Sequence, residues 1–397
     1  MRADGSLAFM HDGMRQELIE LRRSIHREPE LAFQEHGTAE KLERALRDFG
    51  ITEMRRVAGT GVVARVKGTD DRAPVVAIRG DIDALPITEE TGLPFASQRS
   101  GVMHACGHDV HATWAVGAAA LLAGKPARGD VLIVLQPAEE VGQGASAVLE
   151  SGALDGAAAI FGGHVDRRFE VGQVVADVGP LAASADTFEI DIIGQGAHAA
   201  RPHEARDPIV AAAALVTAIQ TIVARRLNPA TPGVVTVGQI SAGSAPNVIP
   251  DRATLRGTIR AIEPASRKLM HEELRRLAES IAAAHGARAE VRMPEGTPPL
   301  VNPEQPVEWS RKAVTSVLGS DALVPLGFLN LAGEDFAFYL ERIPGCFLRI
   351  GAREPGGVPI AAHSPRFYPA EGSLVIGSLV LAECARVASA ELAAGRA

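Results

Sequence analysis

The chain is poor in cysteine: its 397 residues include only Cys106, Cys346 and Cys384. Three thiols cannot make a disulfide framework, and an odd count fits a reducing compartment. Runs of one charge are missing as well. The net charge is -8 with no lysine- or arginine-rich stretch, so the electrostatic footprint of a nucleic-acid or anionic-membrane binder is absent. Long hydrophobic runs are also lacking. The most apolar C-terminal stretch, SLVIGSLVLA, meets Glu383 and Arg386 short of the roughly 20 residues a membrane span needs, so a packed helix is expected there. The opening MRADGSLAFMHDGMRQ has neither the apolar stretch nor the cleavage site of a secretory signal, and a cytoplasmic location is expected. Internal repeats and low-complexity tracts do not occur.

What remains has the balance of an ordinary globular protein, 46% hydrophobic and 22% charged, at a length that predicts a large domain carrying a second one. The first half alternates helix-like segments (ELIELRRSIH, TAEKLERALRDFG, HATWAVGAAALLAG) with short apolar runs (GVVARVK, PVVAIRG, VLIVLQP, AAAIFGGHV). Runs of that kind are strands covered on both faces, so the fold class is α/β with a mostly buried sheet. Between about Ala183 and Glu295 the order becomes strand, helix, two strands, helix, strand, a split βαβ unit. Its helices start at Asp207-Pro208 and Glu263-Pro264, and the second stops at Gly286. Gly- and Pro-rich flanks, GPLAASA and PEGTPPLVNPEQP, mark it as an insertion. The expected organisation is a discontinuous domain of residues 1–182 and 297–397, interrupted by residues 183–296.

Chemistry-bearing residues gather where the apolar runs end: Asp81 and Asp83, Glu139 and Glu140, and His164. In open α/β sheets that edge is where sites form. The segment HACGHDVHAT adds His104, Cys106, His108, Asp109 and His111 at a helix start. Taken singly, each has an ordinary structural explanation: an acidic pair on a wet face, a capping aspartate, a satisfied histidine, an inert thiol. Together they offer the imidazole, carboxylate and thiolate donors of a divalent metal site. Adjacent side chains diverge, so one of the Glu139-Glu140 pair can bind metal while its neighbour serves as general base.

The strings HREPELAFQE, RGDIDALP, MHACGHDVHAT, LQPAEE, FGGHVD, GAHAARPHEARDP, NVIPD, GTIR and GEDFAF, spread from about His26 to Phe367, resemble the M20 metallopeptidases. The likeness is to their amidohydrolase branch, with its hippurate hydrolases, N-acetyl-amino-acid deacetylases and auxin-conjugate hydrolases. It implies a zinc-exopeptidase-like catalytic domain with a mixed sheet, plus an inserted ferredoxin-like α+β domain acting as lid and dimer interface. It further implies that Cys106, His108, Glu140, His164 and His363 bind two divalent ions (zinc, manganese, cobalt or nickel), the sulfur bridging, with Glu139 as general base. Where the wider family has His-x-Asp, this chain has Asp81-Ile82-Asp83; the likeness to the amidohydrolase branch implies that His108 takes over the ligand role and that Asp83 orients an imidazole. His198 would reach the developing oxyanion, in its own or the partner subunit, and Asn247 and Arg260 would hold the substrate carboxylate. Ala362 and Gly163 stand where larger residues are usual, which bears on pocket volume rather than on the reaction. His26, Glu28 and Glu30 are left as structural.

The implied activity is hydrolysis of N-acyl amino acids or related small amides by a homodimer or higher homo-oligomer, with no nucleic-acid or membrane partner. Competing readings are a dipeptidase or other exopeptidase, a cysteine amidase using Cys106 as nucleophile, and a non-catalytic ligand-binding relic.

Overall fold

The computed structural model describes residues 12–329 and 331–395. Residues 1–11, which hold most of the stretch read as free of a signal sequence, lie outside the described residues. The chain begins with α1 (Asp12–Arg27), α2 (His36–Asp48), β1 (Met54–Val57), β2 (Gly61–Val66), β3 (Val75–Asp81), α3 (His108–Gly124) and β4 (Val131–Gln136). Next come α4 (Gly144–Glu150), β5 (Ala157–Glu170), β6 (Val174–Val175) and β7 (Gly179–Ala182). The middle of the chain supplies β8 (Asp186–Ile193), β9 (Ala197–His198), α5 (Pro208–Thr221), β10 (Gly233–Ala242), β11 (Val248–Ile249), β12 (Arg252–Ala261), α6 (Pro264–Ala284) and β13 (Arg288–Arg292). It closes with β14 (Leu300–Asn302), α7 (Glu304–Leu318), α8 (Ala337–Leu340), β15 (Gly345–Arg353) and α9 (Gly372–Ala394).

Two compact units result. One holds the described residues up to Gly179 with Asn302–Phe328 and the chain from Phe338 onward; the other holds Pro180–Val301 and Leu329–Ala337. The divisions fall a few residues outside the expected 183–296 because β7 and β14 pair with each other. The segment Leu329–Ala337 was expected in the first unit. It belongs to the second because the Ala183 N–H donates to the Ala332 carbonyl (3.0 Å).

The first unit is built on a seven-stranded sheet in the order β1-β2-β4-β3-β5-β15-β6. Strands β4, β3, β5 and β15 run parallel, and β2 and β6 pair antiparallel at their flanks, so the sheet is mixed. Helix α3 is buried all round from His108 to Leu122, which is why its sequence shows no amphipathic stripe. It packs on α9, where a side chain at Gly377 would run into the Trp114 ring and the Trp114 indole N–H donates to the Ser373 carbonyl (2.9 Å). By length and composition alone, Pro208–Arg226 and Gly372–Ala394 are apolar enough to cross a membrane. The second of these is α9, which continues through Glu383 and Arg386 as the packed helix expected, the two charges pairing at 2.9 Å.

The second unit carries a four-stranded antiparallel sheet, β10-β12-β8-β13, with α5 and α6 against one face. This is the ferredoxin-like order that the alternation of elements predicts. Asp207 caps α5, accepting from the Ile209 (2.8 Å) and Val210 (3.4 Å) N–H groups. Glu263 makes no such cap, and Pro264 alone sets that start. Helix α5 stops at Thr221 and passes into a π turn, Ile222–Arg226.

Candidate metal centre

The donor residues converge at the carboxyl end of the parallel strands. Asp81 ends β3 and Asp83 follows it, Glu139 and Glu140 follow β4, and His363 lies on the loop after β15. His164 was expected beyond a strand end but sits within β5, which outruns β3: their pairing stops at Phe161, while β15 stays paired to Asp166. Cys106 and His108 arrive from the start of α3, flanking Gly107. That glycine is at φ 97°, and a Cβ there would meet Val165 at 2.4 Å. No other residue satisfies both conditions, so Gly107 sets the directions of a thiol and an imidazole on either side.

Several groups of three donors form among the described residues, and two of them, Cys106 with His108 and His164, and Cys106 with Glu140 and His363, share the Cys106 sulfur. The sulfur lies 3.2 Å from His164 Nε2. Glu140 lies 3.7 Å from His108 Nε2 and 3.4 Å from His363 Nε2. His108 donates from Nδ1 to the Asp83 carbonyl (2.9 Å), and His164 donates from Nδ1 to the Val165 carbonyl (2.7 Å). A carbonyl only accepts, so each ring in its neutral form carries its proton on Nδ1 and turns the Nε2 lone pair inward, the tautomer a metal ligand needs. Buried His108 Nε2 and Glu140 Oε1 have no hydrogen-bond partner among the described residues. Orphaned acceptors of this kind are what a cation satisfies.

The electrostatics point the same way. Burial pushes the Cys106 thiol well above its ordinary range, and Glu140 beside it adds to the push. Burial opposes charge on His108, but Asp81, Cys106 and Asp83 together raise it well above the ordinary imidazole value. Burial, helped by His111 and Arg349, holds His164 well below that value. Desolvation would raise Glu140, yet His363 and His108 bring it below the ordinary carboxylate range. The cluster is rich in anionic donors, and divalent cations placed among them reverse these penalties. The donor set therefore fits two such ions.

Asp83 touches both sides of the site: Oδ1 takes part in the His108 Nδ1 contact (3.1 Å) and Oδ2 accepts from the Glu140 N–H (2.9 Å). Glu139 is largely buried, with Oε2 3.8 Å from His108 Nε2. His111 lies close to Asp81 and His108 but has no free nitrogen. The Val165 N–H donates to its Nε2 (2.9 Å), and its Nδ1 donates to Asp81 (2.7 Å). Asp81 in turn is held by fully buried Arg79, and Arg79, His108 and His111 outweigh burial to keep that carboxylate far below its usual range. Arg79 was not singled out in the sequence, because an arginine inside a strand reads as an edge or surface residue until its burial is seen.

Behind α3, Asp109 accepts from Arg22 (2.7 Å) and His26 (2.8 Å), all three fully buried. Leaving such a carboxylate unpaired costs about 3–5 kcal/mol. His104, beside them, is pushed down to about 3 by burial. Glu30 accepts from the Thr38 N–H (2.8 Å) at the start of α2, and Glu28 pairs with Lys41 (2.8 Å). The sequence reading passed over buried Glu35, whose carboxylate accepts from the Ala138 N–H (2.9 Å) and from the Thr60 hydroxyl. The only signal for it was its place at the end of HREPELAFQE.

The other residues singled out in the sequence, His198, Asn247 and Arg260, lie in the second unit. His198 (β9) and Val248 (β11) are paired, and the Ala199 N–H donates to the Asn247 carbonyl (3.0 Å), so His198 and Asn247 share one ribbon. The Ala200 N–H donates to His198 Nδ1 (3.0 Å), leaving the proton on an exposed Nε2. Arg260 ends a row on the outer face of β12, after Arg252 and Arg256. Arg252 pairs with Asp191 (3.4 Å) and Arg256 with Glu189, whereas Arg260 has no carboxylate partner among the described residues.

The profile of the family described as Peptidase family M20/M25/M40 matches residues 77–387. The chain is 41% identical over 378 residues to the N-acetylcysteine deacetylase of Bacillus subtilis, covering 93% of this chain and 96% of that protein. It is 36% identical over 371 residues to thermostable carboxypeptidase 1 of Saccharolobus solfataricus, covering 91% and 93%. A solved Bacillus subtilis structure, described as a dinuclear metal binding peptidase from the M20 family, superposes with a TM-score of 0.84 at 38% identity. It covers 95% of this chain and 99% of its own.

Proposed function

This chain belongs to peptidase family M20/M25/M40, and from that premise we propose that it hydrolyses N-acyl amino acids to a carboxylic acid and a free amino acid. The observation that carries the reading is the pair of donor groups sharing the Cys106 sulfur, with Glu139 beside them. The likeness to an N-acetylcysteine deacetylase supports an acylated amino acid as substrate. Cys106, His108, His164, Glu140 and His363 would hold two divalent ions, for which thiolate and imidazole favour zinc while leaving manganese, cobalt and nickel open. When bound, such a pair supplies Lewis acidity, polarising the amide carbonyl and making water acidic near neutral pH.

The chain's own residues do the rest. Glu139 takes the proton of the attacking water and passes it to the leaving nitrogen. Asp83 keeps His108 and Glu140 in place for it. His198, with its proton on Nε2, donates to the developing oxyanion, from the same subunit or from a partner. Arg260 receives the substrate carboxylate through its planar fork, and Asn247 assists. Arg260→Ala should raise KM for an N-acyl amino acid by about tenfold or more, the loss of a charge-assisted pair, with a smaller change in kcat. An unchanged KM would remove Arg260 from the substrate site.

A homodimer is supported by the second unit's surface. Edge strand β10 exposes Ile240, and α5 exposes Val210, apolar groups of the kind a partner covers. All three cysteines are free, in keeping with a reducing compartment such as the cytoplasm.

The test is release of free amino acid from N-acetyl, N-benzoyl and indole-acyl amino acids and from dipeptides, using protein reconstituted separately with zinc, manganese, cobalt and nickel. Cleavage of an N-acyl substrate that stops on chelation is expected. Cleavage of dipeptides alone would move the reading to an exopeptidase, and no release with any metal would leave a ligand-binding relic.

A further inference from the structure

Among the described residues, four non-glycine positions have left-handed backbone: Phe33, Ala58, Ala138 and His363. Ala138, at φ 55°, immediately precedes Glu139 and Glu140. An L-residue resists that conformation, so something must hold it. Within the tight turn, the Gly142 N–H donates to the Glu139 carbonyl (2.7 Å) and the Gly144 N–H to the Ala138 carbonyl (3.1 Å). The Ala138 N–H itself is taken by the buried carboxylate of Glu35, 103 residues away in the chain. The other oxygen of Glu35 accepts from Thr60, whose N–H donates to the carbonyl of Ala58, a second left-handed position (3.1 Å).

Glu35 completes a longer pattern. The segment from His26 to Glu35 touches the first turn of α3 and the loops that follow β3 and β4, the three places from which chemistry-bearing residues reach the centre. His26 bonds Asp109, next to His108; the Glu30 carbonyl accepts from Ala84, next to Asp83 (2.8 Å); Glu35 bonds Ala138, next to Glu139. None of the three side chains belongs to the donor groups themselves. We propose that Glu35 is a positioning residue for the reaction: it locks Ala138 in its left-handed conformation and thereby aims Glu139 at the attacking water. This rests on the reading of Glu139 as general base.

The hydrogen bond rather than the charge does the work, so the amide of Glu35→Gln, which still accepts from Ala138, should keep kcat within about threefold of the parent. Glu35→Ala should lower kcat about tenfold or more, the usual effect of losing a group that orients a site, with metal content and KM changing far less. Adding Ala138→Gly to Glu35→Ala should recover part of the loss, because glycine takes a positive φ without strain. Amide hydrogen exchange at residues 137–141 should speed up in Glu35→Ala and remain slow in Glu35→Gln, a readout independent of activity. If Glu35→Ala does not fold, Glu35→Leu, which fills the space but offers Ala138 no acceptor, carries the test through the same two measurements, and parent-like kcat and exchange would overturn the proposal. So would equal losses in Glu35→Gln and Glu35→Ala, or a Glu35→Ala protein of parent kcat that is merely less stable. Glu139→Gln, measured alongside, separates the failures. Parent activity there sinks the base assignment, whereas an inactive Glu139→Gln beside a fully active Glu35→Ala sinks only the role of Glu35.

Discussion

Glu139→Gln is expected to lower kcat at least about 100-fold while the protein still takes up two ions per chain. The substitution keeps the size of the side chain and its hydrogen-bonding reach but removes the group able to accept a proton from water and return it to the leaving amine. Its neighbour Glu140 is the one placed against His363 Nε2 (3.4 Å) and tied through its N–H to Asp83, so the donor groups that share Cys106 survive the change. KM should move little, since Arg260 and Asn247 are untouched. Steady-state kinetics beside elemental analysis of the purified variant makes the check. A kcat near that of the parent would remove Glu139 from the mechanism, and loss of metal together with activity would recast it as a ligand.

The contrast between Glu139 and Glu35 shows what could be read before the structure was known. Glu139 was legible because it adjoins Glu140 at the end of an apolar run and falls in a string with a family likeness. Glu35 lies in an equally recognisable string, but its purpose depends on the conformation of Ala138, and nothing in the local sequence announces a left-handed alanine. Arg79 was hidden for a related reason: a full charge inside a buried strand becomes intelligible only once Asp81, Gln136 and His111 are seen around it. The second unit was easier. Its strands and helices alternate regularly, and Asp207 and Gly286 mark helix limits by local rules. Sheet order in the first unit was not accessible from spacing, because β15 enters beside β5 after an excursion of well over a hundred residues.

Cys106→Ala should abolish the activity for a different reason, through the metals. The sulfur is the one atom common to both donor groups, so its removal leaves each with two protein donors, His108 and His164 in one, Glu140 and His363 in the other. Loss of a group that only orients a ligand commonly costs 10–100-fold in metal affinity or activity, and loss of a shared ligand should exceed about 100-fold. Metal content is therefore expected to fall from two ions per chain to one or fewer, with kcat falling in step and excess metal restoring it only in part. The same variant separates metal-dependent hydrolysis from a cysteine amidase, because both lose activity with the thiol but only one should fail on chelation of the parent. Chelated parent protein should be inactive with Cys106 intact and regain turnover as divalent ions are added back. Activity that persists through chelation and disappears on alkylation of Cys106 would instead make the sulfur a nucleophile, and the donors around it would then have to be explained as its base and its electrostatic support.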